Sequence, residues 1–165
     1  MLQVGHVVVV LGINKMGLEN MINKIPIKIK KLSEDAIIPS YAHPGDAGLD
    51  LFSCEDCIIK PDEKYLIPTG LSIELPEGYV GLVWDKSGIA SKKAITTMAG
   101  VIEYTYRGEY KILMINLSKE DYIVKKGDKI AQLLIQPIMT AEIQVVDELS
   151  ETSRGEGGFG STGLK

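Results

Sequence analysis

Five short stretches of this 165-residue chain carry side chains that can do chemistry. In GVIEYTYRGEY (100–110), Val101 and Ile102 lead into Glu103, followed by Tyr104, Tyr106 and RGE. A carboxylate entering a tight turn beside aromatic rings can serve as a general base. A solvated glutamate in a hairpin has the same signature. The stretch is expected to form a β-hairpin, with Gly108 at positive φ. In WDKSGIAS (84–91), Lys86, Ser87 and Gly88 open a short helix. An ammonium and a hydroxyl at a helix start suit phosphate, and they equally describe an N-cap beside a surface lysine. DAGLDLFS (46–53) places Asp46 and Asp50 around Gly48. GDKIAQLL (127–134) places Asp128 at a turn and Gln132 in an apolar strand, where its amide needs partners. Those partners are either structural groups or a ligand.

The fifth stretch, SRGEGGFGSTG (153–163), is rich in glycine. Its backbone can approach a ligand closely and turn N–H groups towards an anion. Arg154 supplies a cation, Ser161 and Thr162 supply hydroxyls, and Phe159 can stack on a flat ring. A flexible Gly/Ser tail accounts for the small residues and leaves Arg154 and Phe159 unexplained.

Composition narrows the classes. Lysine and arginine total 18 against 22 acidic residues, a formal charge of −4. That excludes nucleic-acid binding through bulk positive charge, but a phosphorylated small ligand needs only a few cations. Cys54 and Cys57 form a lone CxxC without the second pair that zinc requires. They are expected to be incidental thiols in a reducing cytoplasm. No apolar run is long enough for a membrane-spanning helix.

Positioning these groups falls to short strands. KIPIKIKKL, LSIEL and YVGLVW alternate with period two, and EIQVV (142–146) alternates again. YKILMINL and KIAQLLIQ are near-continuous apolar runs that suit strands buried on both faces. Turn chemistry recurs about every ten residues, in HPGDAG, KPDE, PTG, PEG and KKGD. The pattern is that of an all-β sandwich, barrel or jelly roll. One helix is expected over 87–93, capped by Ser87, with Lys92 and Lys93 in its last turn. Residues 1–20 are an N-terminal extension or early strand, 21–150 the β domain, and 151–165 a flexible arm.

The order AGLDL, KSGIA, GVIEYTYRGE, GDKIAQL, RGEGGFGSTG resembles the five motifs of the homotrimeric deoxyuridine triphosphatases, the dUTPases. The resemblance runs from about Lys24 to Gly163. It implies a distorted jelly roll of β-clip type and a homotrimer whose three shared sites are closed by C-terminal arms. It implies hydrolysis of dUTP to dUMP and pyrophosphate, which keeps uracil out of DNA and supplies dUMP for thymidylate synthesis. By the same resemblance Glu103 is the base that activates water, and Tyr106 packs on deoxyribose. Ala99, Gly100, Val101 and Gly108 present the backbone that reads uracil. Lys86, Ser87, Gly88 and Gln132 belong to the phosphate side, and Asp50 lies near the metal through water or phosphate. Phe159 stacks on uracil, while Arg154, Gly160, Ser161 and Thr162 grip the outer phosphates. Mg²⁺ is the implied cofactor, held by triphosphate oxygens and waters without direct protein ligands. Neither nucleic acid nor membrane is an implied partner.

Three positions depart from the family pattern: Glu103 replaces Asp, Lys86 replaces Arg, and Met98 replaces a small residue. A noncatalytic dUTP-binding module would share the remaining residues. A dCTP deaminase relative would need a glutamate in the strand after the turn, where this chain has KILMIN, ending in Asn116.

Overall fold

The computed structural model describes residues 24–157. Three of the period-two stretches hold strands: KIPIKIKKL holds β1 (Lys28–Lys31), LSIEL holds β5 (Leu71–Glu74) and YVGLVW is β6 (Tyr79–Trp84), with β2 (Leu49–Phe52), β3 (Cys57–Ile59) and β4 (Lys64–Pro68) between β1 and β5. The helix α1 (Ser87–Lys93) follows. After it come β7 (Ile95–Met98), β8 (Val101–Glu103), β9 (Lys111–Asn116), β10 (Tyr122–Val124) and β11 (Lys129–Pro137).

All strand pairings are antiparallel. One sheet has the order β2–β11–β6–β8, a second β4–β9–β7, and two ribbons pair β1 with β5 and β10 with β3. The inward side chains of these sheets form one core. Leu51, Ile59, Ile67, Leu71, Ile73, Ile112, Met114, Ile130 and Leu133 are buried within it. Each such side chain contributes about 1.5–3 kcal/mol by leaving water. Among the described residues this is the jelly-roll-like all-β architecture with one short helix.

The strand expectations differ from the structure in three places. EIQVV forms no strand: Ile143 and Val145 are exposed, and among the described residues no strand pairs with the segment. The stretch 100–110 is not a hairpin. β8 pairs with β6 and β9 with β4 and β7, so the turn carries the chain from one sheet to another. In β9, Ile112, Met114 and Asn116 are buried while Leu113 and Ile115 are only half-covered, so one face is core and the other is partly open.

Asn116 ties the lower end of the fold together. Its Nδ2 donates to the carbonyls of Ile59 (2.8 Å) and Glu120 (2.7 Å). Its Oδ1 accepts from the Ser118 N–H (2.9 Å) and hydroxyl (2.7 Å). The residue that ends β9 is therefore a buried structural amide. Asn116→Ala strands several of these groups and is expected to lower stability by about 2–4 kcal/mol. Urea unfolding measures it, and a loss below about 0.5 kcal/mol would contradict this role.

Candidate active site

Many of the chemistry-bearing residues gather in two separate cavities, while Ser87, Gly88, Gly108 and Arg154 line neither. The first, about 620 Å³, is bounded by the turn between β7 and β8 and by the crossing from β8 to β9. Met98, Ala99, Gly100, Val101, Glu103 and Tyr106 line it. The turn is tight: Ala99 has φ 61° and Gly100 φ 109°. Gly100 donates its place to a close approach, since a Cβ there would lie 2.7 Å from the Val83 carbonyl oxygen. The Gly100 carbonyl accepts from the Val83 N–H at 2.8 Å, which pins the turn to β6. Exposed main-chain groups thus face the cavity from a fixed frame.

Glu103 ends β8 opposite Val80 of β6 and is exposed. Its carbonyl accepts from the Tyr106 N–H at 3.0 Å, closing the turn that brings the tyrosine back. The Tyr106 hydroxyl donates to the Glu109 carbonyl at 3.1 Å, and its ring centroid lies 6.1 Å from that of Tyr110. The ring therefore lies across Gly108, where a Cβ would fall 2.3 Å from the Tyr106 oxygen. This corrects the expectation for Gly108. It is absent from the positive-φ glycines, and its missing side chain makes room for the tyrosine. Below them, burial pushes the Tyr110 phenol up to about 12.

The second cavity, about 450 Å³, is lined by Asp46, Gly48, Asp50, Trp84, Lys86 and Gln132, among others. Asp50 is buried on β2, with Lys86 Nζ on Oδ1 and Lys129 Nζ 2.7 Å from Oδ2. Burial opposes its ionisation, but the two ammonium groups outweigh that and hold its carboxyl below the usual range. Gln132 lies beside Asp50 on β11, and its Nε2 donates to the Asp85 carbonyl at 2.8 Å. Gly48 allows this packing: a Cβ there would lie 2.5 Å from Gln132 Oε1.

Ser87 is not the N-cap. Lys86 takes that position with an extended backbone and no side-chain cap bond. Ser87 is thus the first helical residue, exposed beside Gly88. Asp85 and Lys129 carry roles that the motif reading missed. Asp85 fixes the segment before the helix, and Lys129 is the second partner of Asp50. The only local signal was an acid directly before Lys86 and a lysine after Asp128. Arg154 lies in an exposed turn, its Nε donating to the Gly157 carbonyl at 2.8 Å. Phe159, Gly160, Ser161 and Thr162 lie outside the described residues, as does the extension 1–20. Cys54 and Cys57 are free thiols, and burial pushes the Cys57 thiol up. Among the described residues no three His, Cys, Asp or Glu side chains group to hold a metal ion, and no helix is long and apolar enough to cross a membrane.

The family model described as dUTPase matches residues 34–163. This chain belongs to the dUTPase family. It is 53% identical over 137 residues to the deoxyuridine 5'-triphosphate nucleotidohydrolase of Clostridium kluyveri, covering 82% of this chain and 96% of that protein. The Hydrogenobaculum enzyme of the same name is 49% identical over 140 residues, with 83% and 97% covered. Among solved structures, a Staphylococcus bacteriophage 80alpha dUTPase mutant with dUpNHpp superposes with TM-score 0.81 at 34% identity. It covers 86% of this chain and 100% of that one. A mutant dUTPase from a Staphylococcus aureus phage, phi11, described with a structural Mg(II) ion, gives TM-score 0.73 at 33% identity, covering 77% and 100%.

The buried charge of Asp50 predicts a loss of stability in acid. The Asp50 carboxyl is depressed in the fold, so its contribution to stability is complete above its unfolded value, 3.8. It is lost as pH falls through the lower folded value. Urea midpoints are expected to fall below about pH 4. Asp50→Asn should be weaker at pH 7 by about 1–3 kcal/mol and flatter in acid. Parallel acid profiles for the two proteins would contradict this assignment.

Proposed function

We propose that this dUTPase hydrolyses dUTP to dUMP and pyrophosphate with Glu103 as the general base. Its carboxylate takes a proton from water, and the resulting oxygen attacks the α-phosphorus while the bond to the bridging oxygen breaks. Pyrophosphate leaves with those electrons. The observation that carries this reading is the placement of Glu103 at the rim of a cavity walled by rigid backbone and Tyr106. Main-chain groups of Ala99, Gly100 and Val101 suit the polar edge of uracil. A cytosine there would leave buried donors and acceptors mismatched, the discrimination that such sites do best. Tyr106, seated over Gly108, suits the deoxyribose face and leaves no room for a 2′-hydroxyl. Glu103 is one methylene longer than aspartate, a reach of about 1.5 Å, and an exposed strand end gives it space to adjust.

The phosphates belong with Lys86, Ser87, Gly88 and Gln132 around the second cavity. Within one chain these are remote from Glu103. Glu103 pairs with Val80, at the opposite end of β6 from Trp84. That separation is about 13 Å at 3.3 Å per residue, and Lys86 lies two residues further. A complete site therefore joins the first cavity of one copy to the second cavity of another, as in a homotrimer. The chain beyond β11 favours the same assembly: Met139, Ile143, Val145 and Leu149 are nearly fully exposed and need a neighbouring surface. The arm that follows brings Arg154, Phe159, Gly160, Ser161 and Thr162 over the bound nucleotide.

The donor set fits Mg²⁺ held by the triphosphate. No protein cage for a metal exists among the described residues, and both Asp50 oxygens already face ammonium groups. Asp50 would reach the ion through water, which suits a cation that dehydrates reluctantly. Bound there, the ion offsets charge on the phosphates.

Glu103→Gln is expected to lower turnover by about 10²–10⁴-fold with nucleotide binding retained. Mass analysis of products from each deoxynucleoside triphosphate measures activity and specificity together. Undiminished turnover would remove Glu103 as the base, and bound dUTP without pyrophosphate release from the unaltered protein would favour a binding module. Phe159→Ala should weaken nucleotide binding by about 1–3 kcal/mol, as base–aromatic stacking does elsewhere. Calorimetry with dUpNHpp checks it, and unchanged affinity would leave the ring without a stacking role.

A further inference from the structure

Asp85 is the residue between β6 and the Lys86–Ser87 pair, and none of the motif roles uses its side chain. We propose that Asp85 is the positioning residue that aims Lys86 and Ser87 at the triphosphate of bound dUTP. The proposal rests on the assignment of Lys86 and Ser87 to phosphate binding.

Three strands converge on this one connector. The Asp85 carboxylate turns to β7, where Oδ1 accepts from the Thr97 N–H (2.6 Å) and the Thr97 hydroxyl (2.8 Å). Its Oδ2 accepts from the Thr96 hydroxyl at 2.8 Å. From β11, Gln132 Nε2 donates to the Asp85 carbonyl at 2.8 Å. The next residue, Lys86, is held by Asp50 of β2. Side chain, carbonyl and following residue are thus fixed from three directions.

The same bonds say what Asp85 does not do. Both carboxylate oxygens are already satisfied by donors of its own chain, and a free carboxylate beside a triphosphate would repel it. Those donors outweigh the burial that opposes its charge and hold the carboxyl below the usual range. Asp85 therefore remains an acceptor across the working pH range without needing a substrate contact. Its effect is geometric. Displacement of a substrate-positioning group by about 1 Å can cost a hundredfold in rate. Lys86 has a flexible stem and no planar fork to correct its own aim, so the backbone that carries it must be placed by something else.

The test separates the two halves of the nucleotide. Binding of dUpNHpp and of dUMP is measured by calorimetry for the unaltered protein, Asp85→Ala, Asp85→Asn and Ser87→Ala. Asp85→Ala should weaken dUpNHpp about tenfold or more and dUMP less than about twofold, because positioning losses fall on the phosphate side. Asp85→Asn retains Oδ1 for both Thr97 donors and should recover most of that loss. Equal weakening of both ligands, or of neither, in Asp85→Ala would overturn the proposal. A selective loss in Ser87→Ala alone would reject Asp85 as the positioner while leaving the phosphate assignment standing. No selective loss in either variant would reject the phosphate assignment itself. Should Asp85→Ala fail to fold, Thr97→Val decides: a selective loss for dUpNHpp supports the proposal, and equal or absent losses overturn it.

Discussion

The pairing of β6 constrains everything else in this molecule. The strand lies between β11 and β8, hydrogen-bonded on both sides. Its first residues set the height of Glu103, and its last residues deliver Asp85 and Lys86. A slip of one residue would turn Val83 outward and its neighbours inward, since successive side chains face opposite sides of a sheet. The distance between the acid and the cationic end is thus a property of the core. It cannot be shortened by rotating side chains. Their spacing follows from a ladder of backbone hydrogen bonds.

Charge is handled in a consistent way. Asp50 and Asp85 are both screened from solvent, and both are compensated from other strands: one by two lysines, the other by two threonines. Burying an uncompensated carboxylate would cost several kcal/mol. Each acid therefore works as a tether that joins strands distant in sequence. Glu103 differs from both. It stands exposed at a strand end, free of such a tether and able to meet water.

How much of this was legible in the sequence depended on the range of the interaction. Period-two alternation in LSIEL and YVGLVW marks β5 and β6 because burial acts residue by residue. The helix appears at 87–93 as the composition suggested. Its cap was misread by one position, since the extended backbone that defines a cap belongs to Lys86. The turn after Glu103 was visible, but its type was not. Glycine and tyrosine announce a reversal without saying which sheet receives the chain. The alternating 142–146 segment has the chemistry of a strand, yet pairing needs a second edge. The bonds of Asp85 were announced only by an acid before Lys86, for its threonine partners lie eleven and twelve residues downstream.

Gly48 is one place where this arrangement leaves little room. It bears no functional group, yet the oxygen of Gln132 fills the space in which any side chain would begin. A change there to alanine would displace the amide, which would release the carbonyl before Lys86 and loosen the cation behind it. A variant harmful to the enzyme can therefore arise at a position with no charge and no hydroxyl. Surveys of sequence variation that weigh residues by their chemistry alone would pass over it.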